Sequence, residues 1–91
     1  MSKFMRVYNV IVVREGEVKK DEVPITSSIF TNLEEAQADF EDWWNHLVSN
    51  ENVIEEKMEG FDKGHAYVKI DNDGEIVHLY LGEQIIEFAE G

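Results

Sequence analysis

The chain has 91 residues, 43% hydrophobic and 11% aromatic, and its 20 acids against eight bases give a formal net charge of −12. That length suits one domain with one core, and the apolar content is too high for a disordered acidic tail. The acidity argues against direct binding to nucleic acid or anionic membrane, because both polyanions repel it; the absence of cysteine excludes disulfides, a thiolate nucleophile and a thiolate zinc site.

Met1 to Arg6 shows no signal-peptide pattern, and no apolar run approaches the roughly 20 residues that span a bilayer. The expectation is a cytoplasmic protein, neither secreted nor membrane-embedded. Lys3 to Arg14 is dense in β-branched and aromatic residues. Met5, Val7, Ile11 and Val13 alternate with Phe4, Tyr8, Val10 and Val12, so both faces of this strand are apolar. Such a strand is central in a sheet or covered by a second subunit, which makes a homodimer an expectation.

Glu15-Gly16-Glu17 marks a turn, after which Val23 to Phe30 reads as a second, weaker strand. Pro24 cannot donate to a ladder, so this strand belongs at an edge or starts after the proline. Thr31-Asn32-Leu33-Glu34 supplies a capping box with Thr31 as the cap. Leu33, Ala36, Phe40, Trp43, Trp44, Leu47 and Val48 follow at spacings of three and four, which predicts an amphipathic helix to about Ser49. One of the two tryptophans is expected in the core and the other at the stripe's edge.

Val53 to Lys63 reads as a polar connection with apolar anchors and room for a short helical turn. His65 to Asp71 and Glu75 to Leu81 read as a hairpin around Asp73-Gly74, a strong turn signal. A two-residue turn there pairs Ile70 with Val77, Val68 with Leu79 and Ala66 with Leu81, all apolar, and sets Tyr67 beside Tyr80 and Lys69 beside His78. Ile85, Ile86 and Phe88 suggest a final short strand or a dimer contact. The fold class is α+β, a small and largely antiparallel sheet in the order strand, strand, helix, strand, strand, with the acidic amphipathic helix on one face.

Little in the sequence speaks for catalysis. Asp71 to Glu75 superficially resembles a calcium loop, but placing Gly74 at the sixth position puts Lys69 first and Tyr80 twelfth, where acids are required. His46, His65 and His78 form no metal-ligating or acid–base pattern, and there is no nucleophile elbow or phosphate loop. The expectation is a binding protein with no catalytic residues, metal or cofactor.

The uneven charge is more informative. Residues 1–31 carry a net charge of +1, residues 32–62 carry ten acids against Lys57 alone, and residues 63–91 carry −4. Glu34, Glu35, Asp39, Glu41 and Asp42 fall opposite the apolar stripe, and Glu51, Glu55, Glu56, Glu59 and Asp62 follow in the connection. Like charges three or four apart on a helix cost a few tenths of a kcal/mol per pair (about 0.2–0.5), so selection for stability alone would have interleaved lysines. These ten acids are the candidate partner-binding residues, and the expected partner is a basic protein.

In size, acidity and an acid-studded helix on a small sheet, the chain resembles the phage-encoded DNA-mimic proteins, most closely over residues 32–62. That resemblance implies inhibition of a basic DNA-binding protein, such as an HU-type nucleoid protein or a nuclease, by occupation of its nucleic-acid site. The competing reading is an interaction or assembly domain built on the first strand and the Trp43-Trp44 region, whose acids only keep it soluble.

Overall fold

The structure, a computed structural model, describes residues 2–15 and 24–89. Five strands form one antiparallel sheet: β1 (Ser2–Glu15), β2 (Ile25–Phe30), β3 (Val53–Lys57), β4 (Ala66–Asn72) and β5 (Glu75–Ala89), in the spatial order β2-β1-β5-β4-β3. One helix, α1 (Leu33–Leu47), lies across one face, and a single 3₁₀ turn spans Phe61–Lys63. The class is α+β, as the residue pattern predicts.

β1 and β5 are both flanked by neighbours, which accounts for their apolar content. On the helix side, Val10 and Val12 of β1 meet Val77, Leu79 and Leu81 of β5 and Ala66, Val68 and Ile70 of β4, all buried. Ala36, Phe40 and Leu47 of α1 close this core from above. Phe40 is fully buried and centres an aromatic cluster, its ring 6.1 Å from that of Trp44 and 5.7 Å from that of Phe61. Burial of such a ring contributes about 1.5–3 kcal/mol relative to exposure.

The β4–β5 hairpin has the anticipated register, with Ile70 opposite Val77, Val68 opposite Leu79 and Ala66 opposite Leu81. Asp73 (φ 54°) and Gly74 (φ 88°) both take positive φ, the requirement of a type I′ turn. The Asp71 carboxylate braces the turn by accepting a hydrogen bond from the Gly74 amide at 2.8 Å. β2 begins at Ile25, directly after Pro24, and is an edge strand. The turn anticipated at Glu15-Gly16-Glu17 and the start of that strand at Val23 lie outside the described residues.

Three local expectations change. The helix cap is Asn32 rather than Thr31: its Oδ1 accepts from the amides of Glu34 (2.7 Å) and Glu35 (3.4 Å). Placed one residue later, the side-chain carbonyl of Asn32 reaches both orphan amides. At the other end the helix stops at Leu47, and Asn52 ties it off, Nδ2 donating to the Leu47 carbonyl and Oδ1 accepting from the Ser49 amide, each at 2.8 Å. Residues 53–57 are an edge strand and not a connection. Most of their side chains are exposed and a register irregularity falls between Val53 and Glu55, so no alternation survives.

β5 also passes through Gly82 without a break. Among the described residues, Ser2–Val7 and Gln84–Ala89 pair only with each other and form a two-stranded arm beyond the sheet body. The molecule is correspondingly elongated, 50 × 31 × 17 Å.

Candidate functional site

Side chains alternate along a strand and directly opposed residues share a face, so register assigns each acid to a side of the sheet. On the helix side, Glu34 and Glu35 occupy the first turn of α1, Glu41 and Asp42 follow on its exposed surface, and Asp39 is half-buried at its flank. The five carboxylates extend over about 12 Å of axis at 1.5 Å per residue. At about 3.4 Å per phosphate on one DNA strand, this matches three to four phosphates.

The fold adds others to that side. Gln37 donates from Nε2 to the Phe61 carbonyl at 3.0 Å, tying the 3₁₀ turn to the helix and setting exposed Asp62 beside it. Glu51 sits just past the helix end, next to the Asn52 cap, and Glu56, opposite Val68, faces the helix side from β3. Glu59 is exposed in the turn before Gly60. Glu55 is separated from the rest: it lies opposite Lys69, on the other face, with its carboxylate 3.6 Å from the Lys57 ammonium. The structure therefore gathers the five helix acids, Glu56 and Asp62 on the helix side, leaves Glu51 and Glu59 exposed in flanking turns, and sends Glu55 away.

Among the described residues, no base stands within ion-pair distance of the helix acids. Three of the described bases pair elsewhere: Arg6 with Glu83 at 2.9 Å, Arg14 with Glu75 at 3.2 Å and Lys57 with Glu55. No acid of α1 joins an ion pair with a described residue. The Asp39 carboxyl is pushed above its ordinary value, first by burial and then by the charge of Asp42. Its Oδ2 is buried without a hydrogen-bond partner. Glu34 and Glu35 lie where the helix dipole favours anions, whereas Glu51, beyond the C-terminal end, does not.

The opposite face carries a group that residue pattern did not single out as a site. The rings of Tyr67 and Tyr80 are 4.7 Å apart, and His78 stacks near both, at 6.1 and 6.2 Å. The Tyr67 hydroxyl and His78 Nδ1 are hydrogen-bonded at 2.9 Å. His78 Nε2 approaches Glu15 Oε2 at 3.2 Å without the alignment of a hydrogen bond. Burial, with Tyr80 second, raises the Tyr67 phenol above its ordinary value. The hairpin register made the Tyr67–Tyr80 and Lys69–His78 adjacencies legible, but not the stacking of the three rings.

The remaining histidines stand apart from this group. His65 Nε2 lies 3.7 Å from Glu83, the acid that also holds Arg6, and His46 is exposed in the last turn of α1. Trp43 and Trp44 are both partly buried against the core, so neither is a free platform. Asp71, committed to its turn, borders a shallow cleft of about 560 Å³ that also takes in Glu51, Asn52 and Asp73. No three metal-ligating groups converge among the described residues, and no helix there is long and apolar enough to cross a membrane. No protein-family model, curated protein or solved structure matches the chain.

Proposed function

We propose that this protein is an acidic inhibitor that occupies the nucleic-acid site of a basic, cytoplasmic DNA-binding protein in place of DNA. The observation that carries the reading is the acidic surface of α1, whose carboxylates have no counter-ion among the described residues while Arg6, Arg14 and Lys57 are held by acids elsewhere. A surface that pays repulsion and leaves its charges unneutralised is suited to a partner that brings cations. Lysines and arginines spaced to grip phosphates meet carboxylates at similar intervals, and one cationic cleft cannot hold both polyanions. Glu34, Glu35, Asp39, Glu41 and Asp42 form the centre of this surface, with Glu51, Glu56, Glu59 and Asp62 around it. Glu55, on the other face, is outside it.

The test is competition. A fluorescent duplex bound to a purified HU-type nucleoid protein should be released by the parent chain, less readily as salt rises, because exposed charges are screened beyond about 8 Å at physiological ionic strength. Changing Glu35→Gln, Asp39→Asn and Asp42→Asn together removes three charges with little change of shape, and should weaken displacement while leaving the fold at least as stable. If acidity served solubility alone, the triple variant would bind as the parent does. Equal displacement by the two, or no salt-sensitive basic partner in a panel of nucleoid proteins and nucleases, refutes the proposal.

A further inference from the structure

α1 covers one face of the sheet; on the other, Val7 is buried, but several large apolar side chains of the described residues stand exposed. By register, Ile25 and Ile29 of β2, Tyr80 of β5, and Met5, Ile86 and Phe88 of the arm all belong to this face, opposite the helix. Ile25 and Ile29 are 58% and 65% exposed, and the other four between 38% and 44%. At about 150–250 Å² for a large side chain, these exposures amount to on the order of 500–600 Å² of apolar surface, the upper end of what a monomer normally leaves bare (about 300–600 Å²).

We propose that this face docks a second copy of the chain, sheet against sheet about a two-fold axis. The charge and area of this face select that occupant. The described charges on the face are balanced: Lys3, Lys57 and Lys69 against Glu15, Glu55 and Asp71. Two molecules of net charge −12 repel over most of their surfaces, and this face lets them meet without stacking like charge on like. A basic partner, by contrast, gains nothing here and is drawn to the helix side.

Two copies together would bury roughly 1,000–1,200 Å² from these six side chains alone, near the lower bound of specific interfaces (about 1,200–2,000 Å²) before any neighbouring contact is counted. A two-fold contact is self-complementary by construction, each residue meeting the partner's equivalent patch. It packs two sheets about 10 Å apart, as in a sandwich. Such a dimer carries one helix on each outer side, so both acidic surfaces stay available.

Sedimentation equilibrium of the full chain at micromolar concentration tests this. The expected mass is twice the 10.6 kDa of one chain, unchanged in high salt. Ile25→Lys with Ile29→Lys, both at well-exposed edge positions, should shift the chain to monomer with its circular dichroism intact. Ile85→Lys, on the opposite face of the arm, should remain dimeric. A monomeric parent, a dimer in the double-lysine variant, dissociation by Ile85→Lys or dissociation by salt would each overturn the proposal. None of these outcomes bears on DNA displacement, which is read separately.

Discussion

Asp39 and Asp42 stand three residues apart on α1, and the Asp39 carboxyl is raised above its ordinary value, first by its partial burial and then by the charge of Asp42. A carboxyl raised in the folded state makes the fold bind more protons than the unfolded chain in that window, so its stability contribution falls as pH rises. The contribution is complete below the ordinary value of 3.8 and is lost as pH rises through the folded value. Asp39→Asn should therefore raise Tm at neutral pH, by the equivalent of a few tenths of a kcal/mol (about 0.2–0.5), and the gain should vanish in acid. Thermal melts of both proteins from pH 3 to 7 check this; a gain independent of pH would assign the effect to something other than charge.

The helix cap distinguishes two adjacent residues. Asn32→Ala removes the acceptor for the Glu34 and Glu35 amides and should cost about 1 kcal/mol, within the usual range for a lost cap of 0.5–2. Thr31→Ala should cost much less. Urea unfolding measures both, and the reverse ranking would restore Thr31 as the cap.

Two glycines with positive φ should respond unequally to alanine. At Gly74 a Cβ meets nothing within 4 Å, so Gly74→Ala carries only the left-handed backbone penalty, about 1–2 kcal/mol. At Gly64 (φ 94°) the Cβ would sit 3.0 Å from the Tyr8 ring and 3.4 Å from Leu33, adding steric displacement to the same backbone term. Gly64→Ala should be the more damaging by equilibrium denaturation, and equal losses would show that Tyr8 yields at no cost.

Phe40, fully buried between Trp44 and Phe61, should dominate the aromatic cluster. Phe40→Ala should cost about 3–5 kcal/mol or abolish folding. Trp43→Ala and Trp44→Ala, each removing a half-buried indole, should both be destabilising but less so. A near-neutral result for either tryptophan would mean that it does not pack on the core; denaturant midpoints with an unchanged slope are the measurement.

The sequence by itself determined the elements whose signals are local or strictly periodic. Asp73-Gly74 fixed the hairpin because few residue pairs tolerate positive φ twice in succession, and alternation then left one register that buried Ala66, Val68 and Ile70 together. The three-and-four spacing of Leu33 to Leu47 fixed the helix, and the block of acids over residues 32–62 was visible as composition. Tertiary structure decided what depends on partners distant in the chain. β3 is a strand because the β4 edge offers it hydrogen bonds, and its own exposed residues carry no period. Gly82 does not break β5 because Asn9 of β1 pairs across from it. The same long-range pairing set β1 beside β5, turned Glu55 away from the other acids and put exposed Ile25 and Ile29 on the face opposite the helix. Register determines side, and register between strands far apart in sequence is settled only when the whole sheet closes over its core.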